Sequence, residues 1–224
     1  MKVVLFGATG MIGQGVLREC LLAPDVTHLT TVGRAPTGQR HEKLAELVHD
    51  DFLDFAPIAD RLAGQDACFF CLGVSAAGRS EAAYRQLTYE VTLAAARTLA
   101  ERSPGLSFVY VSGQGTDSTG QGRTMWARVK GQTENALLEL PALSAYLFRP
   151  GIIQPRHGAT SRTRSYRLMY AVAAPLLPLA RRLFPDQVTT TERVGRAMLA
   201  VARSGAPQRV LDTAAINALA RPGG

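Results

Sequence analysis

The sequence predicts an α/β fold, a doubly wound and mostly parallel sheet with a small cap near its C-terminal end. Three observations carry this. Apolar strand-like segments alternate about six times with segments of helical periodicity, the pattern of a parallel sheet covered on both faces. The first strand runs directly into glycines that open a helix. Hydrophobic residues make up 46% and charged residues 19% of 224 residues, enough to bury one large core. The arrangement is that of a Rossmann domain.

Each element follows in order. Lys2 to Phe6 reads as a strand. Met11 to Leu22 reads as a helix, with Ile12, Val16, Cys20 and Leu21 on its apolar side and Pro24 ending it. His28 to Val32 is a second strand. Residues 34–47 are expected to form a loop and a short helix, and Leu47 to Asp51 a third strand. Phe55 to Leu62 is a short helix that tolerates Pro57 near its start. Asp66 to Leu72 is a fourth strand. Glu81 to Glu101 is a long Ala-rich helix closed by Ser103-Pro104-Gly105. Leu106 to Ser112 is a fifth strand, Thr124 to Leu140 a helix and Ser144 to Phe148 a sixth strand. A helix over Thr191 to Arg203 and a strand over Val210 to Asp212 complete the pattern. Residues 152–187 change character, with prolines, glycines and arginines at 156, 162, 164, 167, 181 and 182. They read as a substrate-side cap within a single domain spanning 1–224, over the sheet edge where α/β proteins bind ligands.

Composition excludes several classes. The net charge is +7 and the pI about 9.8, but Arg is scattered and forms no long basic tract. No nucleic-acid module or aromatic-basic stripe is present, so nucleic acid is not an expected partner. No apolar run approaches the ~18 residues of a membrane span, so stable membrane insertion is not expected. Met1 leads straight into the first strand without a leader pattern, and the chain has 3 cysteines, which together predict a reducing, cytoplasmic location. Cys68 and Cys71 form a C-x-x-C, yet on a buried strand positions three apart face opposite ways, which argues against redox or metal work. The histidines have no metal-ligand spacing. Ser112 lacks the G-x-S-x-G setting of a hydrolase nucleophile, and no phosphate-binding G-x-x-x-x-G-K-[ST] occurs.

The strongest motif is Gly7-Ala8-Thr9-Gly10-Met11-Ile12-Gly13. Gly7 permits the tight turn, Gly10 lets backbone approach a pyrophosphate, and Gly13 lets the helix pack on the strand. The helix N-terminus offers N–H groups and partial positive charge to phosphates. Arg34, just after the second strand, stands where a carboxylate would bind a ribose 2′-hydroxyl. An arginine there suits a 2′-phosphate and predicts NADP(H) as cofactor.

With its G-x-x-G-x-x-G spacing, the sequence resembles the extended and atypical short-chain dehydrogenase/reductase superfamily along nearly its whole length. The resemblance implies that Asp51 and Phe52 contact the adenine and that Leu72 and Gly73 give backbone contact with the cofactor. Such dehydrogenases carry a Tyr-x-x-x-Lys pair and a serine at the end of the fifth strand. Here Ser112 and Lys130 match, and the pair reads Trp126-Ala-Arg-Val-Lys130. The i, i+4 spacing puts Trp126 and Lys130 on one helical face, where Lys130 is expected to bond the nicotinamide ribose. Trp126 is a donor that does not ionise near neutral pH, so the usual proton relay is missing. Ser112, Tyr84, Tyr89 and a water held by Lys130 are the alternative donors. Trp126 itself suits either packing or substrate stacking.

Trp126-Ala-Arg-Val-Lys130-Gly-Gln-Thr-Glu134, Phe148-Arg-Pro-Gly151, Leu72-Gly73 and Val194-Gly195-Arg-Ala-Met198 are most similar to the Tat-interacting oxidoreductase-like proteins and bacterial nucleoside-diphosphate-sugar epimerase-like homologues. The resemblance implies NADP(H) binding, with Pro150, Gly151 and Ile152 lining the nicotinamide side. The resulting expectation is an oxidoreductase acting on a small carbonyl or alcohol, with a non-catalytic NADP(H) sensor as the alternative. Peripheral membrane contact through residues 166–184 is a third reading, weakened by Pro175 and Pro178.

Overall fold

The computed structural model describes residues 1–160, 184 and 186–221. The chain order is β1 (Lys2–Phe6), α1 (Met11–Leu22), β2 (His28–Gly33), β3 (Leu44–Val48), a 3-10 helix (Ala56–Leu62) and β4 (Ala67–Phe70). Then come α2 (Glu81–Arg85), a π-helical turn (Gln86–Glu90), α3 (Val91–Arg102), β5 (Ser107–Val111), α4 (Met125–Leu138) and β6 (Ser144–Arg149). The described C-terminal elements are β7 (Ile152–Gln154), β8 (Val188–Thr190), α5 (Thr191–Ser204), β9 (Val210–Asp212) and α6 (Thr213–Leu219). Seven parallel strands form one sheet in the order β3-β2-β1-β4-β5-β6-β9, and β7 pairs with β8 in a separate parallel ribbon. The direction of strand addition reverses between β1 and β4. The loops leaving those two strands diverge there and open a crevice at the C-terminal edge.

The period-2 alternation of β1 builds the two cores. Val3 and Leu5 face α1 and α5 and pack with Val16, Cys20, Val194, Met198 and Val201. Val4 and Phe6 face the other way, onto Phe55, Val91, Leu99, Phe108 and Leu137. Phe6 lies 5.2 Å from Phe70, and Phe70 lies 5.8 Å from Phe108, centroid to centroid. Each such ring, fully buried, contributes roughly 1.5–3 kcal/mol over exposure. α1 and α5 cross closely because Gly15 and Gly195 meet there. A Cβ on Gly15 would lie 2.6 Å from Thr191 Cβ, and one on Gly195 would lie 2.9 Å from Glu19 Cγ.

The structure departs from the sequence expectation at several elements. The third strand begins earlier, at Leu44, and pairs Gly33 with Val48. Asp51 has left the sheet: its Oδ1 accepts the Leu53 N–H at 2.9 Å, and Asp54 Oδ1 accepts the Ala56 N–H at 2.8 Å. Side-chain bonds to the backbone compete with strand pairing, so the aspartates turn the chain. The short helix expected within 34–47 does not form. Glu46 Oε1 instead accepts the Thr37 N–H and Oγ1–H, both at 2.6 Å, and holds that segment as a loop. The long helix is interrupted by the π-helical turn at Gln86–Glu90. The sequence pattern does not predict β7, β8 and α6; Asp212 caps α6 by accepting the Ala215 N–H at 2.9 Å. Most of the expected cap lies outside the described residues, as do Arg162, Arg164, Arg167, Arg181 and Arg182 and nearly all of 166–184. No described helix is long and apolar enough to cross a membrane.

Candidate active site at the glycine turn

The crevice begins at the glycine turn. Gly7 has φ +78°, and a Cβ there would lie 2.7 Å from the Cys71 carbonyl carbon and the Leu72 nitrogen. Only glycine fits between the ends of β1 and β4. A Cβ on Gly13 would lie 2.0 Å from the Gly7 carbonyl oxygen, so α1 begins against the turn itself. Gly10 is the N-cap of α1 and provides no side-chain cap. The Gln14 N–H donates to the Gly10 carbonyl at 2.8 Å, and helix geometry leaves the N–H groups of Met11, Ile12 and Gly13 ahead of it without helical acceptors. A Cβ on Gly10 would meet only the Gly7 oxygen, at 3.3 Å. An anion therefore finds donors and room there, which suits a pyrophosphate. Gln14 clamps the surroundings: its Nε2 donates to the Thr9 and Thr160 carbonyls, each at 3.1 Å, and its Oε1 accepts the Thr160 N–H at 3.2 Å.

Beside the turn a narrow crevice of about 90 Å³ is lined by Gly7, Thr9, Arg34, Glu46, Phe52 and Leu72, among others. Arg34 is exposed at its rim, and no ion pair engages it among the described residues. Phe52 packs edge-on against Phe55 at 5.9 Å, which fixes an apolar wall. Asp51 lies just before that wall with Oδ1 committed to its turn. Past Leu72 and Gly73 lies a second cleft of about 660 Å³, where Val74, Tyr84, Gln114, Trp126, Lys130 and Pro150-Gly151-Ile152 meet. Another cleft, of about 710 Å³, lies along the outer flank of α1. It reaches the turn only at Ala8 and Thr9 and contains neither Trp126 nor Lys130.

Lys130 and Trp126 do share a face of α4 and both line the 660 Å³ cleft. Trp126 lies over Gly115, whose φ is +86°; a Cβ on that glycine would lie 3.4 Å from the indole Cη2. Lys130 Nζ donates to the Ser112 carbonyl. Burial lowers its pKa from 10.5 to about 8, against a smaller opposing pull from Glu134.

Ser112 is placed differently from the expectation. It is buried, and its Oγ lies 2.5 Å from Glu134 Oε1 and 3.1 Å from the Phe148 carbonyl oxygen. Its hydroxyl is turned into a network behind Lys130 rather than into the cleft. Glu134, 1% exposed, is the centre of that network. Arg149 Nε lies 3.0 and 3.2 Å from its two oxygens, and Arg149 Nη2 bonds Oε2 and the Ser118 hydroxyl. Sequence reasoning gives Glu134 no role beyond its place in a motif. Its i, i+4 spacing from Lys130 is the signal that could have found it.

The polar groups of the cleft are set by its backbone. The Gln114 N–H donates to the Pro150 carbonyl at 2.9 Å, the Gly151 N–H to Thr213 Oγ1 at 2.8 Å, and the Ile152 N–H to the Gln187 carbonyl at 3.0 Å. Gln114 Nε2 donates to Gln187 Oε1 at 3.1 Å. A Cβ on Gly151 would lie 2.4 Å from Gln114 Oε1. Gln114 also escapes sequence reasoning, because glutamine in a loop carries no spacing signal. Cys68 is buried in β4, and burial raises its thiol pKa and that of Cys71. No cluster of three potential metal ligands exists among the described residues.

Comparison with known proteins places this geometry. The profile of a family described as NAD(P)H-binding matches residues 7–153. The mitochondrial protein fmp52 of Emericella nidulans is 30% identical over 160 residues, covering 68% of this chain and 66% of that protein, just under two thirds of its length. The mitochondrial protein FMP52-1 of Scheffersomyces stipitis is 24% identical over 199 residues, covering 84% of each. The Bordetella bronchiseptica enzyme WbmF, solved in complex with NAD+, superposes with a TM-score of 0.69 at 17% identity, over 98% of this chain and 76% of that one. A short chain dehydrogenase family protein of Francisella tularensis gives 0.66 at 14%, over 91% of each. These structures share the fold. The expected cytoplasmic location does not survive: the curated relatives are named as mitochondrial, and buried thiols do not distinguish one compartment from another. Glycine turn, strand order and matched profile agree, and the chain belongs to the NAD(P)H-binding family and has a Rossmann fold.

Proposed function

We propose that this protein is an NADP(H)-dependent oxidoreductase that interconverts a small carbonyl compound and its alcohol. One observation carries the reading: the glycine crevice, which ends at Leu72, and a cleft that begins at Val74 and holds a partly buried lysine lie on the two sides of Gly73. A bound nicotinamide dinucleotide would supply and accept hydride there. Gly7, Thr9, Gly10, Met11, Ile12 and Gly13 would hold its diphosphate, and Phe52, with Asp51 beside it, its adenine. Arg34, with no carboxylate partner among the described residues, supports selection of a 2′-phosphate. Leu72 and Gly73 offer backbone along the dinucleotide, and Lys130 lies where it can bond a ribose. Pro150, Gly151 and Ile152 would wall the nicotinamide side. Ser112 supports this site by holding Lys130 through its carbonyl. Purified protein is expected to bind NADPH and to oxidise it with at least one compound in a broad aldehyde and ketone screen. NADPH binding without turnover across that screen would defeat the reading.

A second reading, an NADP(H) sensor that controls a partner, is favoured by Trp126 in the tyrosine position. Lys130→Ala separates the two. Loss of turnover with the cofactor still bound supports the enzyme, whereas wild-type protein with binding and no turnover supports the sensor.

A further inference from the structure

We propose that Lys130 is itself the proton donor of the reduction, delivering a proton from Nζ to the carbonyl oxygen of the substrate. The proposal rests on the oxidoreductase reading and names the group that reading lacks. Trp126, one turn earlier on α4, cannot release a proton near neutral pH. Among the described residues lining the cleft there is no carboxylate and no histidine, and its ionisable groups are Lys130 and Tyr84. Ser112 is turned away, into the Glu134 network.

The geometry leaves the lysine free to act. An ammonium has three N–H bonds, and the Ser112 carbonyl takes one. Glu134 on the same helix would hold the proton tightly if its charge were unshared. Its oxygens are occupied by Arg149, reaching in from the end of β6, and by the Ser112 hydroxyl. The other ionisable groups facing this region are Tyr84 on α2 and the buried Tyr110 on β5. Desolvation therefore dominates, and the ammonium is poised at about 8. A donor near the working pH is both protonated and willing to give up its proton. In the step, an N–H bond of the ammonium breaks and nitrogen keeps the pair. The carbonyl carbon takes the hydride that the reduced dinucleotide supplies, an O–H bond forms at the oxygen, and the amine regains a proton from water. The reverse reaction uses the neutral amine as base.

Lysine occurs only at positions 2, 43 and 130, so the test is clean. In protein labelled with 13C at the lysine ε-carbon, one of three resonances is expected to titrate near pH 8 and to be missing from Lys130→Arg. With NADPH and 4-nitrobenzaldehyde as probe substrate, kcat should fall above that pH. Lys130→Arg keeps the charge but holds its proton, and should lower kcat by about 100-fold or more while NADPH fluorescence still reports binding. Trp126→Tyr restores a phenol and should move the alkaline limb upward. A Lys130 resonance titrating near the ordinary 10.5, a flat pH profile, turnover retained in Lys130→Arg, or an alkaline limb abolished by Tyr84→Phe instead would overturn the proposal. A wild type that does not bind NADPH, or binds it without turnover across the carbonyl screen, removes the parent reading and this proposal with it, and is told apart because the outcomes above are read on a wild type that turns over.

Discussion

Replacing Arg149 with leucine should unmask the cost of the carboxylate buried behind the cleft. Glu134 is 1% exposed and is held by the Ser112 hydroxyl at 2.5 Å and by Arg149 at 3.0 and 3.2 Å, with a further bond from Nη2. In Arg149→Leu that carboxylate keeps one hydroxyl and loses its counter-charge, while the Ser118 hydroxyl loses a donor. Breaking a buried pair from one side costs about 3–5 kcal/mol. For a chain of this size each kcal/mol lowers Tm by roughly 2–4 °C, so a fall of about 6–20 °C is expected. Replacing both partners removes the stranded charge, and the double variant Glu134→Leu with Arg149→Leu should regain about 2 kcal/mol or more of the loss. Urea unfolding followed by circular dichroism measures both. If Arg149→Leu stays within about 1 kcal/mol of wild type, the carboxylate is not dependent on the arginine and the reasoning about Lys130's surroundings fails with it.

The other expected outcomes concern the turn and the lysine. Gly13→Ala puts a methyl 2.0 Å from the Gly7 oxygen, so the start of α1 must shift. It should cost about 1–3 kcal/mol and weaken NADPH binding at least tenfold, read by calorimetry; unaltered affinity would show that the turn does not hold the diphosphate. Lys130→Met tests the burial of an ammonium. With a folded value of about 8 against the ordinary 10.5, the unfolded chain binds more protons between those values, so wild-type stability rises with pH across that window. The penalty is fully present below pH 8, at roughly 3 kcal/mol before the lost Ser112 bond is discounted. Lys130→Met should therefore be about 1–2 kcal/mol more stable at pH 7, with the gap closing by about pH 10.5. A gap independent of pH would contradict it. Gln14→Ala removes both halves of the amide clamp on Thr160 and should raise proteolytic susceptibility after residue 155 without changing the core, checked by limited proteolysis.

Much of this was legible in the sequence because it depends on local rules. The glycines of the turn, the alternation of Val3 and Leu5 with Val4 and Phe6, and the i, i+4 pairing of Trp126 with Lys130 each follow from short-range geometry. What escaped depends on distant partners. The third strand ends at Val48, short of Asp51, where Asp51 and Asp54 bind backbone N–H groups, a competition invisible to hydrophobic periodicity. β7 and β8 have three residues each, too few to show a period. Glu134 has no role in the sequence reading beyond its place in a motif, because its partner Arg149 comes from another element, β6. The turning away of Ser112 was readable in part. It follows Phe108 and Tyr110 at even spacing, on the face that α4 covers, and the strand's parity pointed its side chain there.

The most direct test of the dinucleotide reading is a calorimetric titration of the purified protein with NADPH and NADH in parallel, repeated with Arg34→Ala. One site per chain and NADPH tighter by about 10–100-fold are expected, the increment of a charge-assisted contact of about 1.5–3 kcal/mol to the 2′-phosphate. Arg34→Ala should erase that preference while leaving NADH affinity nearly unchanged. Equal affinity for both dinucleotides in the wild type would contradict the role given to Arg34, and binding of neither would contradict the central claim that this glycine turn holds a nicotinamide cofactor.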